Sequence, residues 1–518
     1  MIPPAAPEDP FAPRQWWETR WFVAAMILAA IVPLIYPPIP PLVDLLGHMG
    51  RYRVELDLAH SPDLQRYYEF HWALIGNLGV DLLIIPVSKI FGLELGVKLI
   101  VMMIPPLTVA GFLWVAREVH HRIPPTTLFA LPFAYGHPFL YGFVNFALSM
   151  ALAFLAFGLW LRLGRLGKTR LRAALFVPIS FIVFISHTFG WGVLGLMCFS
   201  AEAVRQHDSG LPWWEAALRG ALHAAGLALP LLLLLFWRHE ASGGVTAYWF
   251  NFETKQMWVQ AALRDRWRDF DRLSVLLTIG VMIVALLVRS LGFSRNLAFS
   301  ALILLLCFIL LPRIVFGSAY ADMRLVPYMF AVALLAIRFR GDTDLRLGRL
   351  LAVVGLLFVV VRFAANTASL NMASDDAQHE LRAVEHVPQG SRALFLVGWK
   401  CGADWPLPRK SQLGGALIVR RHALENSMWR MPGAQLLSVK SETHLGWFGS
   451  DPSQIVLPDR CGTLEHWSVN KSLAEFPRDK FDYVWIVDAP PFDARLTTGW
   501  QQLYRYRASI LYRIRPLR

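Results

Sequence analysis

An acid, an imidazole and a guanidinium follow one another at helical spacing near the start of the chain. They are Asp44, His48 at i+4 and Arg51 at i+7, with Glu55 at i+11. Residues so spaced share one face of a helix. Pro37, Pro38, Pro40 and Pro41 precede them, and proline in a first turn favours a helix that starts near Pro41. A carboxylate on such a face can take a proton from an attacking hydroxyl, and a neighbouring imidazole can share it. A solvated amphipathic face has the same spacing, so the rest of the chain must decide between the two.

The elements available to position these groups are membrane helices. The 518 residues are 55% hydrophobic and 17% charged, with mean hydropathy +0.43, and several runs approach the roughly 20 apolar residues that span a bilayer. The net charge of +13 comes largely from Lys and Arg beside those runs. That is the positive-inside pattern, and it argues against nucleic acid as a partner. No small-residue cleavage site follows the first run, so it reads as a retained helix and not a signal peptide.

Run length and basic flanks predict about eleven spans, at 21–36, 95–116, 125–135, 143–161, 173–186, 189–203, 218–237, 273–288, 297–311, 325–337 and 350–363. Segment 72–92 holds Asn77, Asp81, Pro86 and Lys89, which are costly in lipid, and is expected to be a juxtamembrane or re-entrant piece. Arg14 and Arg20 place the N-terminus in the cytoplasm. Arg162, Arg165, Lys168, Arg170 and Arg172 mark a cytoplasmic loop most strongly. An odd number of spans then puts the C-terminal region outside.

The expected fold class is a polytopic α-helical membrane protein with a small C-terminal α/β soluble domain. Residues 1–370 form the membrane domain, with an external first loop at 38–94, and residues 371–518 form the periplasmic domain. In the latter, 392–398 and 481–488 read as buried strands, with helices at 378–386 and around 498–504. A Cys401–Cys461 disulfide is expected if that domain faces an oxidising compartment. Cys198 and Cys307 lie in apolar runs and read as core residues.

This topology gathers the polar groups of one side. They are Asp44, His48 and Arg51; Asp63, Glu69, His71 and Asp81; His137 and Asn145; His187; and Arg313, Asp322 and Arg324. Each has an ordinary reading: His187 a satisfied interfacial histidine, Arg324 a snorkelling cation, Asp322 its neutraliser. As a set they suit transfer from a lipid-phosphate donor. A base takes the proton of an acceptor hydroxyl as it attacks the anomeric carbon, and a guanidinium fork stabilises the departing phosphate.

On these residues the chain resembles the GT-C superfamily of polyprenyl-phosphate-sugar-dependent glycosyltransferases. The matching stretches are Pro41-Leu42-Val43-Asp44, Asp322-Met323-Arg324-Leu325-Val326-Pro327, and the apolar segment 72–92 ending in Phe91-Gly92. The resemblance implies Asp44 as general base or acceptor-orienting acid and Arg324 on the donor phosphate. Helical spacing adds His48 as a catalytic partner and Arg51 as a substrate contact, and Glu69, Asp81, His137, His187 and Asp322 complete the expected substrate-binding set. The implied partners are a polyprenyl-phosphate sugar donor, a lipid or glycan acceptor and the membrane, at the outer face of a bacterial inner membrane. Some members hold a divalent cation on acids of the second external loop, but 135–141 contains none. Two arrangements stay open: metal-independent transfer, or a divalent cation held by Asp44 with Glu69 or Asp81. No other cofactor is expected. The alternatives are a surface-glycan polymerase or ligase, a lipid-linked sugar transporter or flippase, and a scaffold for the C-terminal domain.

Overall fold

Length and apolarity sort the helices of the computed structural model, which describes residues 14–233, 245–315, 317–340, 345–402, 404–428, 435–440 and 445–514. Among the described residues five helices are long and apolar enough to cross a membrane: Leu93–His120, Val144–Arg165, Thr169–Ser186, Arg268–Leu287 and Leu345–His386. Three shorter apolar stretches accompany them, at Arg20–Ile35, Arg295–Leu310 and Met323–Leu335. The chain is therefore a helical membrane protein, with fewer evident spans than the eleven expected.

The shortfall has physical causes. Segment 125–135 is a 3₁₀ helix, Pro125–Tyr135, with every residue buried. Its apolarity serves protein contacts and not lipid: Phe129 stacks on Phe358 at 6.0 Å and Phe133 on Phe330 at 5.7 Å. Pro124, Pro125 and Pro132 remove backbone donors that an α-helix would need. The first run breaks after Arg20–Ala29 and resumes at Val32–Ile35. Segment 72–92 yields a helix at Gly79–Phe91 of 13 residues, about 20 Å long and too short to span, in line with the juxtamembrane expectation. Part of segment 218–237 lies outside the described residues.

Among the described residues ten strands complete the fold: β1 Tyr68–Phe70, β2 Leu291–Phe293, β3 Ile337–Phe339, β4 Arg392–Gly398, β5 Leu424–Glu425, β6 Leu437–Val439, β7 Ile455–Val456, β8 Tyr483–Val487, β9 Gln501–Tyr506 and β10 Ser509–Arg513. The C-terminal sheet runs β5-β4-β8-β10-β9, with β7 also on β4. Strands β5, β7 and β8 lie parallel to β4, and β10 is antiparallel to both β8 and β9. β4 and β8 are the two buried strands expected. The helix expected near 498–504 is instead β9. It pairs with β10 across a tight turn at Arg507-Ala508, where Arg507 takes φ 50°. Alternating Leu503, Arg505 and Tyr504, Tyr506 suits a half-exposed edge strand better than a helical face. Cys401 and Cys461 form a disulfide, with Cα atoms 5.9 Å apart.

The helix Leu345–Leu381 runs unbroken through position 370, so the boundary drawn from composition falls inside a single helix. The first loop is likewise built into the C-terminal region. β1 pairs antiparallel with β6, Tyr68 opposite Val439. The Tyr67 and Tyr68 hydroxyls donate to the carbonyls of Gly390 at 2.7 Å and Ala423 at 3.0 Å. The helix Gly415–Arg421 lies flush on the helix Leu45–Asp57, and a Cβ at Gly415 would come within 2.2 Å of the Leu46 carbonyl oxygen. Gly415→Ala should therefore destabilise the protein by roughly 1–3 kcal/mol. Gly192→Ala, which would meet nothing within 4 Å, should leave stability unchanged or raise it by up to about 1 kcal/mol. Thermal unfolding of the purified, detergent-solubilised variants checks the contrast.

Candidate functional site

Asp44 caps the helix Leu45–Asp57, four residues later than the prolines suggest. The N–H groups of Val43 and Asp44 are drawn instead to the carbonyls of Leu140 (3.4 Å) and Tyr141 (2.9 Å). This places the acid against the turn after His137–Tyr141. Gly142, at φ 104°, makes the approach possible, since a Cβ there would lie 2.7 Å from the Asp44 nitrogen. The Asp44 side chain caps nothing and, among the described residues, accepts no hydrogen bond. It is half-buried. Burial raises its pKa well above the usual carboxylate range, the Asp451 charge adds to this, and Arg324 opposes it.

Arg324 sits in the 3₁₀ turn Met323–Leu325 and is 7% exposed. Its guanidinium lies 4.5 Å from the Phe143 ring centre and 5.5 Å from that of Phe189. It donates to the Ser318 hydroxyl at 3.2 Å, its Nε has no partner, and among the described residues it makes no ion pair. Asp322, the expected neutraliser or substrate contact, does neither job. It pairs with Lys255 at 3.3 Å and accepts from the Met323 N–H at 2.9 Å, both side chains being buried. A cation held against aromatic faces gains about 0.5–2 kcal/mol, well short of what an unpaired buried charge costs. Arg324 is thus a buried cation left without a counter-charge in contact with it.

The remaining expected residues divide. His48 lies at i+4 from Asp44, its N–H bonded to the Asp44 carbonyl at 3.0 Å. Its ring stacks on Tyr52, and burial followed by the Arg51 charge lowers its pKa well below normal, so it is a neutral imidazole. Arg51 and Asp81 satisfy each other at 2.9 Å inside the protein, and the Asn145 amide donates to Asp81 at 2.9 Å. The two form a buried ion pair between separate helices, with the Arg51 Nε left without a partner. Glu69 is on β1, exposed, beside His71 at 3.6 Å. Asp44, Glu69 and Asp81 thus do not assemble as a cation site; among the described residues no group of three or more His, Cys, Asp or Glu is placed to hold a metal. His187 caps Thr188–Asp208, its Nδ1 accepting from the Phe189 N–H at 3.1 Å, and its pKa is lowered by burial and then by Arg324. His137 is 1% exposed with both ring nitrogens unpartnered, 5.9 Å from the rings of Tyr141 and Trp258.

Two contributors have no signal in residue spacing. Asp451 comes from the C-terminal sheet region, held by the amides of Gln412 at 3.2 Å and Gln454 at 2.5 Å. It is exposed to solvent, yet the groups packed around it desolvate it enough to raise its pKa. The second is the pair Tyr141 and Tyr320, rings 5.4 Å apart, with Tyr141 close enough to Asp44 to feel its charge. Tyr320 holds φ 62°, which turns its ring into this cluster. The cluster so built holds a guanidinium without an ion pair against aromatic rings and, near enough to feel its charge, an acid without a hydrogen bond. No protein-family model matches the chain, and no curated protein is significantly similar to it.

On the helix that follows Asp44, Glu55 buries both carboxyl oxygens without a partner. Burial and Asp81 raise its pKa from 4.5 to about 8, against the pull of Arg51. The folded protein thus keeps a proton that the unfolded chain releases, and stability falls as pH rises between about 4.5 and 8. Glu55→Gln should remove that slope and gain roughly 1–3 kcal/mol over wild type near the upper end of the window, read by thermal unfolding across pH.

Proposed function

We propose that the chain is an integral-membrane glycosyltransferase that moves a sugar from a polyprenyl-phosphate donor to an acceptor hydroxyl at the outer face of a bacterial inner membrane. One observation carries the reading. A carboxylate free of hydrogen bonds and a buried guanidinium free of ion pairs lie close enough for each charge to act on the other. In the reaction Asp44 accepts the acceptor's proton as its oxygen attacks the anomeric carbon. The bond to the phosphate oxygen breaks with its electron pair, and Arg324 stabilises the charge that develops there. His48, neutral and on the same helical face, orients Asp44. The polyprenyl chain lies among the apolar helices, with Phe143, Phe146 and Phe189 beneath the phosphate. The N-terminus is cytoplasmic and the C-terminal region periplasmic.

The buried charges of the helices favour this over a transporter. Arg362 pairs with Asp271 at 2.8 Å and Arg172 with Glu202 at 3.1 Å, so these buried helix charges are neutralised in place and not held open for a substrate path.

Purified Asp44→Asn and Arg324→Ala, assayed for sugar transfer from a polyprenyl-phosphate donor, should each lose about two or more orders of magnitude in turnover. Wild-type turnover in Asp44→Asn would overturn the reading. The acidic limb of the pH–rate profile should lie above the ordinary carboxylate range, because activity appears as Asp44 ionises. Asp451→Asn removes a like charge and should move that limb to lower pH. Residual activity in Arg324→Ala should show it at higher pH.

A further inference from the structure

A cavity of about 530 Å³ opens at the carboxyl ends of β4 and β8, between the end of Leu345–Leu381 and the segment 407–411. Such a position, beyond the ends of parallel strands, is where open α/β sheets receive ligands, and the volume falls in the roughly 300–1,000 Å³ range of ligand pockets. None of the residues discussed above as base or phosphate contact lines it.

Its lining restricts what it can hold. Trp399 and Tyr506 are half-buried and present ring surface, Tyr506 being fixed by stacking on His379 at 4.9 Å. Lys410 is held by three carboxylates, Asp376 at 2.7 Å, Glu380 at 3.0 Å and Asp488 at 3.0 Å. Arg507 pairs with Asp376 at 3.1 Å and Arg409 with Asp265 at 2.5 Å. Among the described residues Arg266 is the lining cation without an ion pair. With the other cations already neutralised, a polyphosphate or other polyanion finds little to bind. An apolar ligand would desolvate the carboxylates without return. What fits is a polyhydroxylated, neutral or singly acidic molecule. Its hydroxyls bond to fixed carboxylates such as Asp488, and its C–H faces lie on the Trp399 and Tyr506 rings.

The cavity also lies near the backbone that leads to Asp44. Arg409 on its wall donates to the Pro41 carbonyl. A narrow cleft lined by Pro41, Leu42 and Val43 shares Arg409 and Ala377 with it. Pro41 is three residues from Asp44, at most about 11 Å along an extended chain.

We infer that this cavity is a carbohydrate-binding site that seats the acceptor glycan of the transfer reaction. Its role as acceptor site rests on the glycosyltransferase reading, whereas its binding of carbohydrate does not. The test uses the full chain in lipid nanodiscs and, as probes, di- to tetrasaccharides of hexose, N-acetylhexosamine and hexuronic acid units, with affinity read by saturation-transfer NMR and titration. Wild type should bind members of this panel. Trp399→Ala and Asp488→Asn should each bind at least tenfold more weakly; asparagine keeps the left-handed backbone that Asp488 adopts at φ 47°. Asp44→Asn should bind as wild type does. No binding to any probe, or binding indifferent to both cavity variants, overturns the inference. Cavity-dependent binding without sugar transfer by wild type would retain the carbohydrate site and remove the transfer reading. Unchanged acceptor KM in Trp399→Ala and Asp488→Asn, with transfer intact, would remove the acceptor role alone.

Discussion

The backbone of Leu46 and the backbone at Gly415 meet so closely that not even a methyl group fits between them, and much of the architecture follows from that contact. It lets the helix Gly415–Arg421 lie along Leu45–Asp57, so that the first loop and the C-terminal region share one core. Around it the two are fastened by backbone pairing of β1 with β6, by Tyr67 and Tyr68, and by Arg420, which grips both oxygens of Glu94 at 2.8 and 3.0 Å. Gln412 lies just before that helix and holds Asp451, whose charge reaches Asp44. The C-terminal region is therefore a wall of the site and not an appended module.

Within this frame the distribution of buried charge is uneven in an informative way. Arg51 with Asp81, Lys255 with Asp322, Arg362 with Asp271 and Arg409 with Asp265 are each neutralised in place. Pairing of that kind offsets a desolvation cost of several kcal/mol per ion. Arg324 departs from the pattern, having aromatic rings and one hydroxyl around it. Asp44 departs from it in the opposite sense, as an acid with no donor. Two uncompensated groups of opposite sign near one another are unfavourable for folding, and in the proposed reaction a ligand would complete both, an anion at Arg324 and a hydroxyl at Asp44.

Much of this was legible in the residues alone. The apolar runs marked helices; β4 and β8 announced themselves by Ala393–Val397 and Tyr483–Val487, all buried; and the cysteines of the polar region pair. Helical spacing also identified the face bearing Asp44, His48 and Arg51. What spacing could not say is which members of that face find partners elsewhere. Arg51 is neutralised by Asp81, which lies on a separate helix, and Asp322 turns from its near neighbour Arg324 to Lys255. Run length failed for a related reason: 125–135 is apolar because Phe358 and Phe330 cover it, and burial in protein leaves the same composition as burial in lipid. Asp451 belongs to the same class of omission, since only the packing of Gly415 on Leu46 brings it near Asp44.

These placements bear on how the proposed base would be timed. Asp44 has its proton affinity set by three influences: burial and Asp451 raise it, and Arg324 lowers it. Burial and Asp451 are fixed by the fold, whereas the influence of Arg324 depends on what lies against it. A donor phosphate against Arg324 would neutralise the one group that favours the ionised carboxylate, making Asp44 a stronger proton acceptor once the donor is seated. As the phosphate departs with its bond pair, its growing charge draws further on Arg324, and the proton on Asp44 becomes more firmly held while the acceptor oxygen forms its new bond. The base is then weakest before the donor is seated and strongest when transfer is under way, which is the differential stabilisation that accelerates a reaction. That coupling needs no movement of the backbone; it requires only that Arg324 have no carboxylate of its own.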